Sequence, residues 1–532
     1  MMHGNADLPT VAALPGLLTA IHDDLATTSF VLGSAASAEA DVLRTRILTQ
    51  IDAHLLPRAG GKNIPVVAVL GGSTGAGKST LINSLLRKEV SEAGVLRPTT
   101  REAVLAHHPE TSIAHVPLAD RTRAVTNLNV PKGLALIDAP DLDSYDDTNR
   151  KAAAELIEAA DLWLFVTTAA RYGDAIPWQN LTEAHDRGLQ VAVVFNRVPQ
   201  KILSTVRMDL MQRLNEAGLG DVPMFVVPDV GPHEGMLESH DVDELRSWLR
   251  LATEGEQGRG IIARTTRGAW SALKDNIAEL TRAYVRQAHG LEHLSEIADT
   301  TASAIAVDLT TALRAGATGV GAPTTRWLAA VSASGALSDL MQADPRQAKP
   351  GLGGRRTKRR TQAAIALGQE TAAAIRTVLA DAIHDVANQI TQLWIEAEVG
   401  AETMMRGIPQ LSIAQAGQRA DKVLRSWQQE LDAVVDQKVA SEVMSASAVA
   451  HLLAAGIGGV RGAAELATAL VGAETVSQGR ELLTKMCTSA VAAAATPYHK
   501  ALGNNASLSR HVVTGLRLRL AELERYVDAV AA

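Results

Sequence analysis

Apolar residues recur at Leu43, Ile47, Ile51 and Leu55. That four-residue spacing lines one face of a helix, so residues 1–58 are predicted to be helical, with Pro57 ending the last helix. From Ile64 to about Leu251 the pattern changes. Short unbroken apolar runs, IPVVAVL (64–70), LALID (134–138), LWLFVT (162–167), VAVVFN (191–196) and MFVV (224–227), alternate with stretches of helical period. Runs of this kind predict strands buried on both faces, and their alternation with helices predicts a mostly parallel sheet with helices on both faces. Beyond about Gly255 the strand pattern stops and stripes such as Leu273, Ile277, Leu280 and Tyr284 predict a large all-α region. The expected division is therefore N-terminal helices over 1–60 that pack with the C-terminal helical region, an α/β domain over 61–254, and a stalk-like helical domain over 255–532.

Two stretches interrupt the helical half. KPGLGGRRTKRR (349–360) is a Gly-rich turn with five basic residues among its last six, and VMSASAVAHLLAAGIGGV (443–460) carries no formal charge if His451 is neutral. The second is rich in Ala, Gly and Ser and poor in large apolar residues. Buried helices, or a hairpin tip that inserts reversibly into a bilayer, suit it better than a membrane-spanning helix.

Composition narrows the class. Of 532 residues, 46% are hydrophobic, 20% charged and 3% aromatic, which gives ample core and favours helices packed closely on helices. Lys plus Arg is 51 and Asp plus Glu is 58, so the net charge is 51 − 58 = −7, and nothing global invites nucleic acid. One cysteine, Cys487, allows no internal disulfide and fits a reducing cytosol. The start, MMHGNADLPT, lacks a basic segment followed by an apolar one, so no signal peptide is expected.

The candidate chemistry lies at 71–80, GGSTGAGKST. Gly72-Ser73-Thr74-Gly75-Ala76-Gly77-Lys78-Ser79 fits the phosphate-loop pattern G-x-x-x-x-G-K-[ST] between a predicted strand and a predicted helix that opens with Ser79 and Thr80. Glycines let successive N–H groups turn towards phosphate oxygens, and the helix N-terminus adds partial positive charge. Lys78 reaches the β- and γ-phosphates and the Ser79 hydroxyl ligates Mg²⁺. Thr99 and Thr100, about twenty residues on, can close over the nucleotide, ligate Mg²⁺ and touch the γ-phosphate. Asp138 ends a buried strand, where an acid can hold Mg²⁺ through water. Asn196 ends another, where a base-reading loop would lie.

GGSTGAGKSTLINSLL (71–86), RPTTRE (97–102), LIDAPDLDS (136–144) and FNRVP (195–199) stand in the order and spacing of the P-loop GTPases, and over roughly 62–250 the chain resembles the bacterial dynamin-like and Era-related members. The helical remainder resembles dynamin-like proteins in layout. The resemblance implies GTP and GDP as ligands and Mg²⁺ as cofactor. It implies Thr99 or Thr100 as the switch I threonine, Asp138 as the switch II aspartate and Asn196 as the first residue of the guanine-reading motif. Arg197 takes the place of the lysine that stacks on the base.

Three positions depart from the pattern. Switch II reads Asp138-Ala-Pro-Asp141 where the family has Asp-x-x-Gly, which brings a carboxylate towards phosphate charge unless it turns away or pairs with a cation. Pro199 stands where an aspartate would accept from guanine. Gly75 stands where relatives place a residue that positions a charge-compensating cation. No glutamine or histidine follows Asp138 closely, so slow hydrolysis assisted by dimerisation, through the GTPase or helical domain, or by another partner is expected. Arg355, Arg356, Lys358, Arg359 and Arg360 form a candidate contact for anionic lipid head groups. With no aromatics among them, nucleic acid is the less favoured partner. The expected location is cytoplasmic, peripheral to the inner face of the membrane. The alternatives are an Era-like GTPase on ribosome or RNA, an ATP-using ATPase or kinase, and a non-hydrolysing nucleotide-dependent scaffold.

Overall fold

A computed structural model describes residues 14–59, 64–92, 103–142, 147–186, 188–229, 235–342, 345, 354–436 and 443–531. Contacts divide the chain into two compact units: Met1–Phe30, Ala38–Val285 and Leu508–Ala532 in the first, and Val31–Ser37 and Arg286–Ser507 in the second. The 60-residue helix Gly255–Arg314 contributes residues to both.

The first unit is built on a seven-stranded sheet: β1 (Val66–Gly72), β2 (Val104–His107), β3 (Arg123–Thr126), β4 (Leu134–Asp138), β5 (Leu162–Thr168), β6 (Gln190–Val198) and β7 (Met224–Pro228). The order is β3-β2-β4-β1-β5-β6-β7, and among the described residues only the β2–β4 pair is antiparallel. Alternation within β1 explains the unbroken apolar run. Val66, Ala68 and Leu70 pack with Leu81, Ile82, Leu245 and Leu249 on one face, while Val67 and Val69 pack with Leu156, Ile157, Leu181 and Leu210 on the other. Helices therefore cover both faces of the sheet, and β1 lies at its centre with the strand ends of β4, β5 and β6 beside it.

A separate cluster joins the N-terminal helices to later chain. Leu18, Ile47, Ile51 and Leu55 pack with Leu273, Ile277, Leu280 and Tyr284, and with Val512 and Leu516 from the helix Asn505–Ala531. Pro57 does not end this N-terminal segment. A π-helical turn at Ile51–Leu55 leads into Leu56–Ala59, which contains it. Proline removes an N–H from the helical ladder, and the wider π-turn is one way to absorb that loss. At the end of this segment the Arg58 guanidinium donates to Asp161 Oδ2 at 2.5 Å, and the same oxygen accepts from the Val67 N–H at 2.9 Å. Asp161 is fully buried, and its carbonyl accepts from Thr265 Oγ1.

The second unit is helical. Its core centres on the helix Arg355–Ala397, whose Leu367, Ile375, Leu379, Ile383 and Trp394 pack with Trp427, Leu452, Leu453 and Cys487. The apolar stretch 443–460 is interior here: Ser445 caps the helix Ala446–Ile457, whose Leu452, Leu453 and Ile457 are buried. Close approach explains its small residues. A Cβ on Gly368 would stand 2.6 Å from His451 Cβ, so the two helices meet almost backbone to backbone.

The basic run is also placed differently from the expected loop. Residues 355–360 form the first turns of the long helix, with Arg355, Arg356, Lys358 and Arg359 exposed. Arg360 is not part of that surface. At 2% exposure it points inward, donating to the Val443 carbonyl and to the Asp339 carboxylate. The helical repeat accounts for this, since Arg360 is on the same face as Ala364 and Leu367.

Candidate nucleotide site

Two glycines set the loop after β1, each for its own reason. Gly72 is paired to Val166 of β5, and a Cβ there would stand 2.0 Å from the Val166 carbonyl oxygen. Gly77, which opens the helix Lys78–Leu86, has φ +88°, and its Cβ would stand 2.5 Å from Asn196 Nδ2. Only glycine fits both demands without strain.

The Lys78 side chain is 4% exposed and runs back along the loop. Its ammonium donates to the carbonyls of Gly72 at 3.1 Å and Ser73 at 3.2 Å, and to the Asp141 carboxylate. Asp141 is held close by backbone: Ala139 N donates to the Leu70 carbonyl and Leu142 N to the Gly72 carbonyl.

Asp138, the last residue of β4, is fully buried. Its Oδ2 accepts from Ser79 Oγ at 2.8 Å and Ser91 Oγ at 2.6 Å, while Oδ1 has no hydrogen-bond partner among the described residues. Burial pushes its carboxyl above the ordinary value and Asp141 adds to that; Ser91, Lys78 and Ser79 oppose it. Ser91 was not anticipated in the sequence, because no motif marks it.

On the other side, Asn196 at the end of β6 donates from Nδ2 to the Ala76 carbonyl at 2.8 Å, and its Oδ1 accepts from Arg197 N. Arg197 has φ +53° and donates to the Gly75 carbonyl at 3.3 Å. Both residues are thus tied to the phosphate loop. Asp229, just beyond β7, donates its N–H to Val198 O at 3.0 Å, which brings an acid next to the end of β6 that no sequence motif marks.

Gly72 to Thr80, Asp138, Asp141, Asn196 and Arg197 therefore converge at the carboxyl ends of β1, β4 and β6. Thr99 and Thr100 lie outside the described residues. Two buried polar atoms here have no partner among the described residues: Ser73 Oγ and Asp138 Oδ1. An orphaned buried polar atom costs about 1–3 kcal/mol, and such costs persist where a ligand supplies the missing partner. The donor set fits phosphate oxygens, and the Ser79–Asp138 pair fits Mg²⁺ held through one hydroxyl and water.

Residues 67–197 match the family model described as "50S ribosome-binding GTPase". The segment is a P-loop GTPase domain. Among solved structures the chain is similar to Era in complex with MgGDPNP and a segment of 16S ribosomal RNA, at 19% identity and a TM-score of 0.26 over 36% of this chain and 57% of that one. Era from Aquifex aeolicus bound to GDP.AlF4- gives 21%, 0.26, 36% and 58%. The chain thus spans a little over half the length of these Era structures. A member of an oligomerised bacterial dynamin pair, described as sensing and tethering membranes, gives 10% identity and a TM-score of 0.33 over 99% of this chain and 96% of that one. No curated protein matches the chain.

Asp138 carries a stability cost alongside its place in the site. Its folded-state pKa is raised, so its contribution to stability is fully present below the ordinary aspartate value and is lost as pH rises through the raised value. Asp138→Asn should therefore raise the melting temperature measured in EDTA at neutral pH, and should remove any increase that Mg²⁺ adds to nucleotide affinity. Calorimetry with and without Mg²⁺ checks both; a lower melting temperature with an intact Mg²⁺ response contradicts the assignment.

Proposed function

We propose that the chain is a Mg²⁺-dependent guanine nucleoside triphosphatase that couples its nucleotide state to rearrangement of its helical half, in the manner of dynamin-like proteins. The observation that carries this reading is the convergence of Lys78, Asp138 and Asn196 on one phosphate loop. In it, the loop N–H groups and Lys78 bind the β- and γ-phosphates, and Ser79, Asp138 and Thr100 hold the metal. Mg²⁺ held by these residues would supply positive charge to the phosphate oxygens. Arg197 packs its stem against the base, and Asp229 takes the guanine-facing role that Pro199 cannot fill.

With no water-orienting glutamine or histidine close after Asp138, turnover is slow in the isolated chain and rises when a second copy or another partner completes the site. Phosphate release per molecule, measured across protein concentration with GTP and Mg²⁺, should climb with concentration. A high rate independent of concentration contradicts partner assistance, and no release at any concentration contradicts hydrolysis.

The partner surface we favour is an anionic membrane, met by Arg355, Arg356, Lys358 and Arg359 from the cytoplasmic side. These four exposed cations sit in the first two turns of a 43-residue helix, where the helix dipole disfavours positive charge and an external anion would relieve it. No helix among the described residues is long and apolar enough to cross a membrane. A second reading, contact with ribosomal RNA, is favoured by the description of the matching family. Co-sedimentation with anionic liposomes but not ribosomes supports the first; the reverse supports the second.

A further inference from the structure

A lysine ammonium has three N–H donors. All three of Lys78 are used within the chain, on the Gly72 carbonyl, the Ser73 carbonyl and the Asp141 carboxylate. Two of these acceptors belong to the loop's own backbone. The third is the only charged one, and it comes from outside the loop.

Asp141 occupies the position where the family pattern has glycine, and its carboxylate pairs with the lysine that a phosphate needs. It is 15% exposed, beside a lysine that is 4% exposed, so water screens the pair little. The diphosphate part of a nucleotide has the loop N–H groups as well as Lys78. A terminal phosphate depends more heavily on Lys78 and arrives with charge of the same sign as Asp141. The two anions cannot share one buried ammonium without repulsion.

We propose that Asp141 is a built-in stand-in for the γ-phosphate: it closes Lys78, and a triphosphate, unlike a diphosphate, has to displace it. The carboxylate thereby lowers the preference of the site for triphosphate over diphosphate. This rests on the reading of the loop as a guanine-nucleotide site. It gives the altered switch II sequence a role in setting nucleotide choice, separate from hydrolysis.

The test is equilibrium binding of fluorescent GDP and of a fluorescent non-hydrolysable GTP analogue, with Mg²⁺, to the full chain and to Asp141→Asn and Asp141→Gly. Both variants remove the charge, and Asn keeps the shape. The expected result is a gain in triphosphate affinity of roughly tenfold in both variants, with GDP affinity changed by less than about threefold. A variant that binds GDP as the parent does, yet shows no gain for the triphosphate, overturns the proposal. So does a loss of triphosphate affinity, which would make Asp141 a supporting ligand, or an equal gain for both nucleotides, which would make it a general charge effect. Absence of binding of either nucleotide by parent and variants alike overturns the guanine-nucleotide reading itself, and the proposal with it.

Discussion

Lys78→Ala lowers affinity for guanine nucleotides by two orders of magnitude or more while leaving the chain folded. The magnitude follows from what the ammonium does. A hydrogen bond to a charged group contributes about 1.5–3 kcal/mol, and the lysine of a phosphate loop makes two such bonds to the β- and γ-phosphates. Losing about 3–6 kcal/mol corresponds to roughly 10²–10⁴ in the dissociation constant. The fold does not depend on Lys78, because the carbonyls it touches belong to a loop already tied by Asn196 to Ala76 and by Leu142 to Gly72. Isothermal titration with a non-hydrolysable GTP analogue and Mg²⁺ measures the loss, and circular dichroism checks the fold. Binding within threefold of the parent contradicts the role given to Lys78.

Arg58→Met has the second large effect, on stability. Arg58 and Asp161 form a buried ion pair, with side chains 6% and 0% exposed. Removing one partner of such a pair leaves an uncompensated buried charge and costs about 3–5 kcal/mol. Burial raises the Asp161 carboxyl above its ordinary value, and Arg58 opposes that shift. The stability this group provides is therefore present below the ordinary aspartate value and lost as pH rises through the raised one; without Arg58 that loss is larger. The deficit of Arg58→Met should be greatest near neutral pH and shrink on acidification. Adding Asp161→Asn should recover part of it, because the orphaned charge is gone. Calorimetry on the transition that nucleotide shifts reads all three. A deficit that does not change with pH contradicts the account of Asp161.

The central strands were legible because each is buried on both faces, so their apolar runs are unbroken. LALID coincides with β4, and the runs at 64–70, 162–167, 191–196 and 224–227 fall on β1, β5, β6 and β7 within two residues at each end. β2 and β3 escaped notice. Each has four residues, and β3 lies at the sheet edge with Arg123, Ala124 and Thr126 exposed, so neither gives a periodic apolar signal. The phosphate loop was legible because its chemistry is local to ten residues. The partners that complete it come from outside those ten residues: Ser91 follows the helix and reaches Asp138, and Asp229 meets Val198 through the pairing of β7 with β6, which no local motif encodes. In the helical half, the basic run reads as one patch in sequence. Helical geometry turns Arg360 inward to Asp339 and leaves the other four outside.

Pro199 is the residue that most challenges a guanine nucleotide in this loop. The most direct measurement is displacement of fluorescent GDP from the full chain, with Mg²⁺, by unlabelled GTP and by unlabelled ATP over the same concentration range. The account predicts that GTP displaces the probe and ATP does not at a hundredfold higher concentration, a difference of about 2.7 kcal/mol. Equal displacement by ATP would contradict it and make the site an adenine or base-indifferent one.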